Sequence, residues 1–219
     1  MIRKILSIVV IAILVSTPAF AIEGIGAIYE KTLPQEIYNK VEDYTVSLLM
    51  VTSNGIGSCS GTMIYEDNNA QYILTAKHCV DGALEVYVEN NLAYRYETSL
   101  EDDMALITLK DRIYHKITAN LSKRVLRRGD EVYLVGYPNT VKYTTHGKMT
   151  TKVRDWIIYD MKVIPGCSGG GIFNEYGQLV GVVWGGYLYA KNENPMKSLG
   201  EGLLDVRTFL MKILPQALR

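Results

Sequence analysis

The chain has 219 residues, 48% hydrophobic and 21% charged, and its 23 basic side chains are matched by 23 acidic ones for a formal net charge of zero. That balance belongs to a globular protein rather than a disordered one, and the length suits one substantial domain or two small lobes sharing a site. No basic excess draws the chain to nucleic acid or an anionic membrane, and no basic cluster alternates with aromatics in the way base stacking requires.

The first segment reads as a targeting signal. Arg3 and Lys4 precede an apolar run over residues 5–15 that is interrupted by Ser7, and Ala19-Phe20-Ala21 has the small-x-small form of a signal-peptidase site. The run is shorter than the about 20 residues needed to cross a bilayer. Residues 1–21 are therefore expected to be a signal peptide and residues 22–219 the exported domain. An uncleaved anchor is the alternative.

Beyond it, short strands are predicted over residues 45–51, 61–65, 72–75, 84–88, 104–109, 131–135, 156–159 and 178–183. Turn clusters such as Glu66-Asp67-Asn68-Asn69 and Tyr137-Pro138-Asn139 separate them, and many short strands with frequent turns indicate an antiparallel sandwich or barrel. The sixteen tyrosines suit such half-buried pleated surfaces. One helix is predicted near the end, where Leu203, Val206, Leu210 and Ile213 recur at three-to-four spacing opposite Asp205, Thr208 and Lys212. Pro215 should stop or bend it.

Cys59, Cys79 and Cys167 are the three cysteines; two of them can form one bridge, and three make no framework. No CxxC or Cys/His grouping has zinc-ligand spacing, so neither a metal nor another cofactor is expected.

Three segments carry complementary chemistry. An apolar strand runs into His78 through Thr75-Ala76-Lys77, Asp102-Asp103 opens the buried run Met104-Ala105-Leu106-Ile107, and Ser168 sits in Pro165-Gly166-Cys167-Ser168-Gly169-Gly170-Gly171. A serine hydroxyl is a poor nucleophile until an imidazole can take its proton, and the imidazole needs a carboxylate to fix its tautomer. Glycines beside the serine let backbone N–H groups converge on a developing oxyanion, with Gly166 and Ser168 as the natural donors.

The order His78, Asp103, Ser168 and its surroundings resemble the trypsin/chymotrypsin superfamily over roughly residues 45–213. Ser58-Cys59-Ser60-Gly61-Thr62, Thr75-Ala76-Lys77-His78-Cys79, Val135-Gly136-Tyr137-Pro138 and Gly166-Cys167-Ser168-Gly169-Gly170 are similar to that family's segments, closest to bacterial secreted and Deg-type proteases. Leu179-Val180-Gly181-Val182-Val183-Trp184-Gly185-Gly186 resembles the strand that lines its specificity pocket and pairs with substrate backbone.

The resemblance implies an all-β fold of two six-stranded antiparallel barrels with a C-terminal helix, and a protease domain without a PDZ module. It implies a Cys59–Cys79 disulfide and a serine endopeptidase with His78 as base, Asp103 as orienter and Ser168 as nucleophile, acting on protein or peptide substrates in the periplasm or medium. It places Lys162, Val183, Trp184 and Gly185 at the substrate, with Lys162 at the pocket base, where a cation would favour an acidic side chain.

The sequence departs from the digestive members of the family in two places. Cys167 stands where they carry the acid of the zymogen switch, so signal removal, or loss of a short propeptide from Ile22, would be the processing required. Val183 stands where many relatives have a serine bonded to the triad acid. Cys167 as a rival nucleophile lacks the flanking glycines, and Asp102 fits the Asp-x-Ala-Leu pattern less well than Asp103. The alternatives to a protease are a catalytically silent binding module of the same fold and an esterase using the same triad.

Overall fold

The computed structural model describes residues 35–153, 156–187 and 197–218. The expected signal peptide lies outside them. Among the described residues, no helix is long and apolar enough to cross a membrane.

Helix α1 (Gln35–Tyr44) leads into a first lobe of seven strands: β1 (Thr45–Thr52), β2 (Gly55–Glu66), β3 (Gln71–Thr75), β4 (Glu85–Val88), β5 (Asn91–Leu92), β6 (Arg95–Thr98) and β7 (Ala105–Leu109). The second lobe follows as β8 (Glu131–Gly136), β9 (Tyr143–Val153), β10 (Trp156–Tyr159), β11 (Gly171–Phe173), β12 (Leu179–Tyr187) and β13 (Lys197–Gly202), then helix α2 (Leu203–Ile213). All strand pairs are antiparallel. The second lobe closes into a six-stranded barrel in the order β10-β13-β12-β11-β8-β9, and the first is a sheet in the order β5-β4-β1-β2-β3-β7-β6. The all-β reading with a terminal helix therefore holds. The first lobe has seven strands rather than six because residues 91–98, which carry no clear alternation, add β5 and β6 at its two edges.

Strand alternation divides the apolar residues among three cores. In β7, Ala105, Ile107 and Leu109 fill the first lobe while Leu106 turns outward, and in β8 Val132 and Leu134 fill the second lobe while Val135 turns outward. The outward residues meet between the lobes. There Leu74, Met104 and Leu106 pack with Val135, Phe173, Leu179 and Val182, and α1 and α2 add Val41, Tyr44, Val206, Phe209 and Leu210. Burial on both faces is why β7 is apolar at every position but Thr108 and buried at all five. Each large side chain so buried contributes roughly 1.5–3 kcal/mol.

Helix α2 begins where the Asp205 carboxylate accepts the Gly202 N–H at 3.2 Å and ends before Pro215. It buries Leu203, Val206, Phe209 and Leu210 and leaves Thr208 and Lys212 in water.

Candidate active site

The site forms where three chain segments converge on the seam between the lobes. In the β3–β7 register Thr75 faces Ala105. Continuing that register past the strand ends brings the turn after β3 beside the entry to β7. The turn is a single 3₁₀ element, Lys77–Cys79, closed by Cys79 N–H donating to the Ala76 carbonyl. It carries His78 at the surface, where the Asp103 carboxylate reaches both the ring Nδ1 (2.6 Å) and the backbone N–H (2.9 Å) of His78. Two contacts from one carboxylate fix the ring's position and orientation together.

Burial pushes the Asp103 carboxyl up, but the hydrogen bonds from the His78 ring and backbone, the attraction of His78 and the Lys77 backbone outweigh it. Asp103 therefore lies below the ordinary carboxylate range and is ionised at neutral pH. Asp102 is pushed the other way, first by burial and then by Asp205, and has no contact with the His78 ring.

Ser168 stands in the loop between β10 and β11. Gly166 (φ +100°) and Gly169 (φ +81°) take backbone conformations that side chains disfavour. A Cβ on Gly166 would also meet the Pro138 Cα at 2.4 Å, and one on Gly169 the Ser60 carbonyl oxygen at 2.2 Å. The first lobe holds this loop directly. Ser60 N–H donates to the Ser168 carbonyl (2.8 Å), and Ser60 Oγ donates to the Gly166 carbonyl (2.8 Å) while accepting the Tyr137 N–H (2.8 Å). From β12, Val183 accepts the Gly169 N–H (2.6 Å) and donates to the Gly170 carbonyl (2.9 Å).

Cys59 and Cys79 are joined in a disulfide with Cα atoms 6.0 Å apart, and the Cys79 sulfur lies 3.6 Å from the Ser168 carbonyl oxygen. The ligand atoms of His78, Cys59 and Cys79 are within 4.8 Å of one another, but both sulfurs are spent in the disulfide and cannot act as thiolates.

The Ser168 hydroxyl donates to the Trp184 carbonyl at 3.4 Å and makes no hydrogen bond to the His78 ring. Among the described residues, the N–H groups of Gly166 and Ser168 have no hydrogen-bond partner. Beside Ser168 is a cavity of about 260 Å³ walled by Val163, Ile164, Pro165, Val183, Gly185 and Gly186. Lys162, expected at its base, is not part of its lining. The side chain is exposed, because buried Met161 and Val163 take the inward positions of this stretch and the lysine between them points to water. Cys167 is fully buried, and burial pushes its thiol up against a backbone hydrogen bond with Ile164, so it stays protonated at neutral pH.

A second cavity of about 430 Å³ opens beside His78, lined by Glu101, Asp102, Asp103, Trp156, Trp184 and Glu201. Glu201 is only 3% exposed. Burial first, then the charge of Asp102 with smaller contributions from Asp205 and Asp103, pushes it up to about 7, against a hydrogen bond from the Asp103 backbone N–H. Neither Ser60 nor Glu201 stands out in the sequence. Ser60 lies in a segment singled out for its cysteine, and Glu201 is one acid in the polar stretch Lys197-Ser198-Leu199-Gly200-Glu201-Gly202. Their importance comes from partners 106 and 98 positions away. His115 is exposed, and His146 stacks on the Tyr133 ring at 6.2 Å.

Comparison with known proteins bears on the family and the fold. A family model described as a trypsin-like peptidase domain matches residues 59–182, more than half of the chain. The chain is 25% identical over 147 residues to the serine protease Do-like HtrB of Bacillus subtilis, an alignment covering 56% of this chain and 31% of that protein. It is 33% identical over 138 residues to a probable periplasmic serine endoprotease DegP-like of Hahella chejuensis, covering 56% and 28%. The matched region is thus less than a third of either relative. The crystal structure of the Rv3671c protease of M. tuberculosis in its active form superposes with a TM-score of 0.67 at 19% identity, covering 81% of this chain and 84% of that one. Its inactive form gives a TM-score of 0.66 over 82% and 93% at the same identity. At that identity the likeness speaks for the fold alone. On the family match, the chain belongs to the trypsin-like peptidase domain family.

Proposed function

We propose that this chain is an exported serine endopeptidase in which His78, Asp103 and Ser168 form the catalytic triad. The observation that carries the reading is the double grip of Asp103 on the ring and backbone of His78. Such a grip fixes the imidazole with Nδ1 protonated and leaves Nε2 free to act as base.

In the reaction, the Ser168 hydroxyl rotates from the Trp184 carbonyl to His78 and attacks the scissile carbonyl as Nε2 takes its proton. The imidazolium, stabilised by ionised Asp103, returns that proton to the leaving amine, and an acyl-enzyme on Ser168 remains. Water then attacks the acyl carbon as His78 takes its proton, and His78 passes that proton to the departing Ser168 oxygen as the acid is released. The unengaged N–H groups of Gly166 and Ser168 receive the tetrahedral oxyanion, and removing one such donor typically costs about 10²–10³ in rate.

The cavity beside Ser168 has apolar and glycine walls, so the residue before the cut bond is an apolar one of moderate size. Export fits the disulfide, which persists in oxidising compartments. The signal peptide over residues 1–21 and the domain over 22–219 belong to this same reading.

The hydrogen bond from Ser168 to Trp184, with Val183 in place of a serine bonded to the triad acid, favours a silent binding module of the same fold. Labelling of the mature protein with a fluorophosphonate probe separates the two. Labelling that vanishes in Ser168→Ala and survives in Cys167→Ala is the expected result. A folded protein that takes no label would sink the triad assignment. Cleavage of casein or a mixed peptide library, beyond small activated esters, then separates a peptidase from an esterase.

A further inference from the structure

The cavity beside His78 has features that the triad does not use. Its two aromatic walls come from different strands, with Trp184 from β12 and Trp156 from β10 packed edge to face at 5.3 Å between ring centroids. Glu201 is the direct partner of Trp156 in the β10–β13 register, so their side chains rise on the same face.

The carboxylates around the cavity differ in what already engages them. Asp103 is committed to His78, and Glu101 pairs with Lys212 at 3.2 Å. Asp102 and Glu201 have no ion-pair partner among the described residues. The Oε2 of Glu201 is fully buried and receives no hydrogen bond. Glu201 therefore acts on the cavity through its charge, while Asp102, partly exposed at the same wall, is the carboxylate that a donor reaches.

Strand β12 relates this cavity to the one beside Ser168. Val183 and Gly185 line the Ser168 cavity, whereas Trp184 between them lines the other. A substrate strand running beside β12 alternates in the same way, so neighbouring side chains fall into the two cavities in turn.

We propose that the cavity formed by Trp156, Trp184, Asp102 and Glu201 is a substrate subsite for a basic side chain, lysine or arginine, on the residue immediately amino-terminal to the one whose carbonyl Ser168 attacks. This rests on the serine-peptidase reading above. The methylene stem lies against the indole rings, where a cation is also favoured, and the head group meets the partly exposed Asp102 with the buried Glu201 behind it.

The chain has two tryptophans, and both line this cavity, so intrinsic fluorescence reports its occupancy directly. The test titrates the Ser168→Ala protein with acetylated peptide amides that carry valine at the cleaved position and lysine, norleucine or glutamate before it. Lysine should bind about tenfold more tightly than norleucine, with glutamate weakest. In Glu201→Gln and Asp102→Asn backgrounds the lysine advantage should fall below threefold. Glu201→Gln keeps shape and removes charge, and Asp102 is partly exposed, so both variants fold. A lysine advantage below threefold in the parent protein, or one that survives both substitutions, overturns the subsite. Fluorophosphonate labelling of the Ser168 protein runs in parallel. Labelling without lysine preference removes the subsite alone, and lysine preference without labelling supports the subsite and removes the catalytic reading.

Discussion

Replacing Ser60 by alanine removes a hydroxyl with 0% exposure that does two jobs, donating to the Gly166 carbonyl and accepting the Tyr137 N–H, each at 2.8 Å. Alanine leaves both backbone groups in place and without this partner. An orphaned buried polar group costs roughly 1–3 kcal/mol, so the pair predicts a loss of about 2–6 kcal/mol. That is a large fraction of the about 5–15 kcal/mol that holds a typical domain together. Urea unfolding followed by tryptophan fluorescence measures it, and Ser58→Ala is the internal control. Ser58 lies two positions away on the same strand but accepts one N–H, that of Asn139, at an exposed site, so its loss should cost under about 1 kcal/mol. Catalysis supplies a second readout, because the Gly166 carbonyl held by Ser60 belongs to the loop that presents the oxyanion donors. Fluorophosphonate labelling of Ser60→Ala should slow by about 10²-fold, as for loss of one donor. Equal unfolding midpoints for the two alanine variants, with labelling unchanged, would refute the idea that Ser60 anchors the nucleophile loop.

Asp103→Asn should lower kcat/KM by about 10⁴ with the fold intact, since an amide cannot hold the His78 tautomer; peptide cleavage and near-ultraviolet circular dichroism check the two halves. Replacing both Cys59 and Cys79 by alanine opens a loop of sequence separation 20 and should cost about 3 kcal/mol in urea unfolding. Glu201 is raised in the folded state from 4.5 to about 7 by burial and by Asp102, with Asp205 and Asp103 adding to it. Its protonated form therefore contributes stability that is complete below about pH 4.5 and lost as pH rises through 7, about 3 kcal/mol in all. Glu201→Gln should gain on the parent by that amount between pH 4.5 and 8, and an advantage that stays flat with pH would exclude Glu201 as the source.

The elements readable from the sequence are those whose pattern is set by one buried face or by burial on both. Residues 104–109 read as a strand because β7 is buried at every position, and α2 because its apolar stripe meets the inter-lobe core. Strand β9 did not read as one, since Tyr143-Thr144-Thr145-His146-Gly147-Lys148-Met149 presents only Thr145 and Met149 to the interior. Strand β13 is polar with two glycines, and its buried residues include Glu201, a charge that no apolar pattern marks. Helix α1 carries Ile37, Val41 and Tyr44 at helical spacing, but a single stripe of three residues is too short to mark a helix in the sequence. His78, Asp103 and Ser168 were legible as candidates because their chemistry is complementary and each is flanked by short-range features. The positions that hold them were not, because Ser60 acts across 106 residues of sequence.

The nucleophile loop belongs to the second lobe by chain order, yet its described tethers come equally from the first and from β12 of the second. Ser60 holds the Ser168 and Gly166 carbonyls, Thr75 Oγ1 donates to the Ser60 carbonyl, and the Cys79 sulfur packs on Ser168. His78 follows β3 and Asp103 precedes β7, the first-lobe strands that supply Thr75 and the inter-lobe residues Leu74 and Leu106. Docking of the lobes and assembly of the site are therefore one event. A substitution such as Phe209→Ala, far from Ser168 but in the inter-lobe core, loosens that docking, and its cost of about 3–5 kcal/mol should appear in labelling rate as well as in unfolding. Equal labelling rates in a measurably destabilised but still folded Phe209→Ala protein would show that the two lobes hold the site independently of their shared core.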